Sequence, residues 1–117
     1  MPEISQYWTD SLATELSKVD PKKSFVINDA KTPSGVIHVG SLRGVILHDV
    51  IRRSFSDAGL SAIFTYEFDD MDPFDRMNKS LPAEFEAKLG EPFCNLPSPE
   101  AGHKTYARCY GEKFSFL

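Results

Sequence analysis

The apolar positions of this chain change period twice between residues 24 and 68, and those changes define its central unit. Ser24-Phe25-Val26-Ile27-Asn28 is short, apolar and β-favouring, and Pro21-Lys22-Lys23 punctuates the chain just before it. It reads as a buried strand of a parallel sheet. From Val39 to Ala58 the apolar residues fall at Leu42, Val45, Ile46, Val50, Ile51, Phe55 and Ala58, a helical spacing, with Arg43, Asp49, Arg52, Arg53 and Asp57 largely on the other side. Leu42, Val45 and Ile46 are expected to pack in the core, and Gly59 to end the helix. Ser61-Ala62-Ile63-Phe64-Thr65-Tyr66-Glu67-Phe68 returns to strand character, completing a β-loop-α-β unit whose crossover should be right-handed. Ile4 to Val19 predicts an amphipathic leading helix docked through Ile4, Tyr7, Trp8, Leu12 and Leu16, with Trp8 in the core. Phe93 to Glu100, rich in proline, reads as a linker to a final helix over Lys104 to Phe114.

Such a unit is half of a dinucleotide fold, and ligands settle outside the carboxyl ends of its strands. There the unpaired N–H groups and dipole of the following helix favour phosphates. Residues 30–41 and 69–76 are therefore the two places for chemistry. In the first, Gly35 and Gly40 permit close backbone approach, Thr32, Ser34 and Ser41 supply hydroxyls, and His38 supplies a ring nitrogen. A helix starting near Ile37 would put His38 and Ser41 on one face of its first turn. An imidazole held there can stabilise charge on a phosphate during adenylyl transfer, without acting as nucleophile or metal ligand. An ordinary strand-to-helix connection is the competing account. The joint spacing of Pro33, Ser34-Gly35, His38 and Gly40 in a strand-turn-helix context favours nucleotide binding. In the second place, Asp69, Asp70 and Asp72 stand at the carboxyl end of the second strand, where carboxylates can offset the desolvation of an ammonium-bearing substrate. The alternative is a solvated acidic loop, with Asp70 and Asp72 capping a turn before Pro73.

Thr32-Pro33-Ser34-Gly35-Val36-Ile37-His38-Val39-Gly40-Ser41 resembles the "HIGH" signature of class I aminoacyl-tRNA synthetases. Together with Leu42-Arg43-Gly44, Phe68-Asp69-Asp70-Met71-Asp72-Pro73-Phe74-Asp75 and Gly90-Glu91-Pro92-Phe93-Cys94-Asn95-Leu96-Pro97-Ser98-Pro99, it resembles the archaeal-type class I lysyl-tRNA synthetases, from about Ser24 to about Phe114. The resemblance implies an α/β fold, a partial Rossmann-like (HUP-type) parallel sheet forming the N-terminal half of a class I synthetase catalytic domain. Within it lie a leading helix (1–20), the β-loop-α-β unit (24–68), and an acidic loop with a following helical segment (69–117). It implies ATP-dependent activation of lysine and transfer to tRNA(Lys). It also implies ATP contacts from Pro33, Ser34, Gly35, His38, Gly40 and Ser41, catalytic roles for His38 and Ser41, and a lysine contact from Thr32, joined by Asp69, Asp70 and Asp72. Ser41 stands where His or Asn is usual, and Ala30 where glycine is frequent. His103 resembles a position that opens the next helix and approaches ATP or the tRNA end; a surface or helix-start role stands beside that reading.

Arg76-Met77-Asn78-Lys79-Ser80 mimics the second class I signature, Lys-Met-Ser-Lys-Ser, but follows the first too closely to be the mobile loop of the far half-domain. It is expected to be a variable loop with Lys79 solvated. At 117 residues the chain has room for two parallel strands and about four helices, whereas a dinucleotide fold needs five or six strands. The expectation is a fragment that lacks the rest of the catalytic domain and the anticodon-binding domain, inactive without them. Mg²⁺ arrives with ATP and takes carboxylate oxygen, though nothing in the spacing of the three aspartates demands it. Cys94 and Cys109 are too few and too far apart for a zinc knuckle or a disulfide framework, so reduced thiols and no zinc site are expected.

A net charge of −4 with 26% charged residues requires any tRNA contact to come from a local patch. Arg43, Arg52 and Arg53 offer one, against ordinary surface solvation. His48 reads as a packed histidine. No signal pattern or long apolar span occurs, which points to the cytoplasm and away from a membrane. Two other classes compete with the synthetase fragment: a small stand-alone nucleotidyltransferase, which should carry a second phosphate loop that Gly111 to Leu117 does not offer, and a non-catalytic nucleotide-binding module.

Overall fold

The computed structural model describes residues 7–115, which divide into two compact units. The first comprises the chain up to Asp29 together with Val39–Tyr66, and the second Ala30–His38 together with the chain from Glu67 onward. The elements are α1 (Trp8–Val19), β1 (Ser24–Lys31), α2 (Leu42–Asp57), β2 (Ser61–Phe68) and α3 (Tyr106–Ser115), with short 3₁₀ turns at Val39–Ser41, Ala83–Lys88 and Phe93–Asn95.

In the first unit β1 and β2 pair as a two-stranded sheet. The Ser24 and Ser61 hydroxyls lie 3.2 Å apart and the Thr65 hydroxyl donates to Asn28 at 2.7 Å, both pairs separated by 37 residues. A constant offset along two strands is the signature of parallel pairing, and α2 is the crossover between them. Phe25 and Ile27 point to one face with Ala62 and Phe64, where Ala13, Phe55 and Leu60 close the core. Phe25 meets Phe55 edge-to-face at 5.2 Å. At Gly59 φ is +76°, so the chain leaves α2 in the left-handed conformation that the sequence anticipates for a glycine stop.

The packing of α1 and α2 departs from their apolar periodicity. Trp8 is 58% exposed and Tyr7 is exposed too, so neither is core. α1 packs on α2 through small buried side chains, Thr9 and Ala13, with the Ser54 hydroxyl donating to that of Thr9 at 2.8 Å. That close contact centres the buried stripe on positions 9, 12, 13 and 16 and leaves Trp8 on the rim. The expected Ile4 contact lies outside the described residues. On α2, Ile46 is 62% exposed, and Leu47, Val50 and Ala58 are exposed as well, so the core stripe is narrower than the periodicity suggests and runs through Ile51 and Phe55.

The second unit has a core of aromatic rings. Tyr106 is fully buried, with its ring centroid 5.2 Å from Phe93 and 4.8 Å from Tyr110, and it also packs against Phe74 and Phe85. The stretch expected to be a linker is part of this core, since Phe93 and Leu96 are buried. Its prolines keep it extended for side-by-side pairing: Pro73 bridges Pro92, Pro97 bridges Thr105, and the Phe74 N–H donates to Glu91 O at 2.8 Å. Gly90 makes the turn that returns this segment, with φ +92°. The final helix begins at Tyr106, two residues later than expected, because Lys104 precedes it and Thr105 caps it by accepting the Arg108 N–H.

Candidate active site

Within the second unit the segment after β1 turns back on itself. The Ser34 N–H donates to Thr32 O at 2.8 Å, Pro33 is buried, and the Tyr106 hydroxyl donates to Ser34 O at 2.9 Å. This turn is therefore fastened to the aromatic core at its carbonyl. Beside it the acidic segment leaves β2: the Asp69 N–H donates to Lys31 O at 3.1 Å, the Phe93 N–H to Asp72 O at 3.0 Å and the Cys94 N–H to Asp70 O at 2.8 Å. These bonds fix the backbone that carries the carboxylates.

The Thr32 hydroxyl donates to the Asp72 carboxylate in a short hydrogen bond. Thr32, Ser34, Asp72, Asp75 and Phe93 line one open groove. A part-buried carboxylate held by a hydroxyl, with a second carboxylate beside it, is an environment for a cationic group. The three aspartates singled out from sequence do not line one groove together. Asp72 lines this groove, Asp69 and Asp70 are exposed, and Asp70 lines a separate cavity with Phe68, Arg108 and Glu112. Asp75, to which the sequence assigns no role, is exposed and lines the groove with Asp72. Among the described residues no cluster of three or more metal-ligating side chains occurs.

Asp75 also borders a second groove, of about 460 Å³, with Ser34, Arg76, Asn78, Lys79 and Phe93. The loop expected to be merely solvated thus lies against the signature turn. Arg76 and Lys79 are exposed, as the sequence suggests, but they face the groove that Ser34 lines. His38 is exposed just after this turn. His103 pairs through Nδ1 with Glu112 at 2.7 Å and lines a different groove with Lys104 and Arg108.

The remainder of the signature belongs to the first unit. Gly40 lies in the 3₁₀ turn, and Ser41 holds the position before α2 without a side-chain capping bond; the helix starts at Leu42 and not near Ile37. His38 consequently precedes the helix, and the expected sharing of a first-turn face by His38 and Ser41 does not hold. The turn tightens to 3₁₀ because Gly40 and Ser41 are weak helix formers. The Ser41 hydroxyl is buried without a hydrogen-bond partner among the described residues, leaving its capacity unused. Further along α2, a Cβ on Gly44 would stand 2.3 Å from Asp29 Oδ2, so only glycine admits the carboxylate there. His48 stacks on Phe64, its Nδ1 lies 2.7 Å from Gly44 O and 3.7 Å from Asp29, and burial together with Asp29 raises the Tyr66 pKa. Arg52 and Arg53 are taken up by Asp49, whose pKa is lowered by those hydrogen bonds, which argues against a free basic patch.

Tyr106 and Asp75 are the residues that sequence reasoning missed. Nothing local marks Tyr106, which lies 72 residues from its partner Ser34.

Residues 6–116 match the family of class I tRNA synthetases (K). The chain belongs to that family. Among curated relatives, this synthetase-family chain is 39% identical over 108 residues to the lysine–tRNA ligase of Archaeoglobus fulgidus, covering 92% of the chain and 22% of that protein. It is 34% identical over 111 residues to the lysine–tRNA ligase of Thermoplasma acidophilum, covering 95% and 21%. The chain spans about a fifth of the length of these relatives. The two-stranded parallel sheet with its signature turn accords with the partial Rossmann-like fold of the family. No helix among the described residues is long and apolar enough to cross a membrane.

Proposed function

We propose that this chain is the N-terminal portion of a lysine–tRNA ligase catalytic domain, and that it supplies part of the site for ATP and lysine. The observation that carries the reading is the Thr32–Asp72 hydrogen bond inside the groove of the signature turn. In the reaction a lysine carboxylate oxygen attacks the α-phosphorus of ATP, the bond to the β-phosphate oxygen breaks, and lysyl-adenylate and pyrophosphate form. The lysine then passes to the 3′ end of tRNA(Lys), releasing AMP.

In this reading Asp72, oriented by Thr32, receives an ammonium group of lysine, with Asp75 adding to the local negative field. His38 supplies positive charge density to the phosphate oxygens at the pentacoordinate transition state, an electrostatic contribution that needs no proton transfer. Pro33, Ser34, Gly35 and Gly40 shape the backbone against the nucleotide, and Ser41 offers its unpartnered hydroxyl to the ribose. Asp69 and Asp70 add to that field at longer range, and His103 approaches ATP or the tRNA end or serves at the surface beside Glu112. Activity requires the remaining four-fifths of the ligase length, and the work of the assembled enzyme is cytoplasmic.

The test is lysine-dependent ATP–pyrophosphate exchange. The 117-residue chain is assayed alone and joined to the remaining sequence of the Archaeoglobus fulgidus ligase, each with and without His38→Ala. Exchange in the joined protein only, lost on His38→Ala, supports the reading. Exchange that survives His38→Ala in the joined protein removes the role given to that side chain, and none in a folded joined protein removes the reading itself.

A further inference from the structure

Two grooves meet at Ser34, and they differ in sign. The one through Thr32 contains Asp72 and Asp75 and no cation. Its neighbour shares Ser34, Asp75 and Phe93 but adds Arg76, Asn78 and Lys79, which makes it net positive. Arg76 and Lys79 form no ion pair among the described residues, as is true of Lys31, Arg43 and Arg108 too, but they alone among these line the groove that Ser34 borders. The loop is also structured toward the turn. Asn78 Oδ1 accepts the Ser80 N–H at 3.1 Å, the Leu81 N–H donates to Asn78 O at 3.0 Å, and Leu81 is anchored in the aromatic core. Asn78 Nδ2 lies 3.7 Å from the position a Cβ would take on Gly35, an ordinary packing contact. A loop pinned by its own turn and by Leu81, with two unmatched cations against a phosphate-type turn, is built to receive an anion.

We propose that Arg76 and Lys79 form an anion subsite for the polyphosphate of the bound nucleotide, adjoining the carboxylate-lined groove for the ammonium group. The proposal rests on the nucleotide-binding reading above and assigns a binding role to a loop that the sequence treats as solvated. Ser34 is the seam at which the two charges of an aminoacyl nucleotide would part: ammonium toward Asp72, phosphate toward Arg76 and Lys79.

Binding of tripolyphosphate, ATP and adenosine to the chain joined to the remaining sequence of the Archaeoglobus fulgidus ligase, measured by isothermal titration calorimetry at low and high salt, tests it. The unchanged joined protein should bind tripolyphosphate and ATP more tightly than adenosine, with the difference shrinking as salt rises. Arg76→Ala with Lys79→Ala should weaken tripolyphosphate and ATP at least tenfold and leave adenosine within twofold. Arg76→Lys with Lys79→Arg should restore most of the loss, and Lys113→Ala should change nothing; circular dichroism confirms that each variant is folded. Unaltered ATP and tripolyphosphate affinity in the double alanine variant overturns the subsite while leaving the functional reading intact. Tripolyphosphate binding that depends on Arg76 and Lys79, with neither ATP nor adenosine bound more tightly, supports an anion site and overturns the nucleotide reading. No binding of any of the three by the folded, unchanged joined protein overturns both.

Discussion

The Tyr106 hydroxyl donates a hydrogen bond to the carbonyl of Ser34 at 2.9 Å, joining residues 72 positions apart. Tyr106 is the most enclosed ring of the second unit, so the bond ties a solvent-facing turn to the least movable part of its core. Removing the hydroxyl keeps the ring packing and deletes that tie together with the hydroxyl's interaction with Tyr110. Tyr106→Phe is expected to cost about 0.5–1.5 kcal/mol in chemical denaturation, the usual net contribution of one intramolecular hydrogen bond whose other partner can turn to water. Tyr106→Ala, which also opens a cavity, should cost about 3–5 kcal/mol.

The same residue predicts alkaline behaviour. Burial raises the Tyr106 pKa well above its ordinary value of 10.0, and burial raises that of Tyr110 as well. A folded state that holds these protons more tightly than the unfolded chain is fully favoured below pH 10 and loses that advantage as pH climbs from 10 toward the folded-state values. Melting temperature should therefore fall above pH 10, and Tyr106→Phe should flatten that fall while lowering the melting temperature at pH 7.

Gly44 and Asp29 should be strongly coupled. Because a Cβ on Gly44 would meet Asp29 Oδ2 at 2.3 Å, Gly44→Ala forces the carboxylate away from the helix and from His48. We expect a loss of about 1–3 kcal/mol despite the better helix propensity of alanine. In an Asp29→Ala background the same change should become neutral or stabilising by up to about 1 kcal/mol. A double-mutant cycle reads the difference, and additive effects would contradict the close approach.

The Thr32 hydroxyl is expected to matter more than its methyl. Thr32→Ser should keep the bond to Asp72 and change stability by less than about 1 kcal/mol. Thr32→Val should leave the carboxylate without its donor, costing about 1–3 kcal/mol in urea denaturation and, in the joined enzyme, at least tenfold in the KM for lysine.

By itself the sequence determined the two strands, the helix between them, the glycine that stops it and the turn that carries the signature. Each of these depends on local periodicity or on a backbone conformation that neighbouring residues restrict. It also placed Thr32, Ser34 and Asp72 within the segments that now line one groove. Only the tertiary structure decided the rest. Trp8 stands outside the core because small residues at Thr9 and Ala13 let α1 approach α2 closely, an outcome of helix packing rather than of period. Phe93 and Leu96 are buried because an extended proline-rich segment can pair with Pro73 and Thr105, which composition alone presents as a linker. Asp75 replaces Asp70 beside Thr32, and Arg76 and Lys79 come to Ser34, because a loop's path is set by where its anchors are buried. For this loop the anchors are Phe74 and Leu81, held by an aromatic core assembled from residues as far apart as 74 and 110.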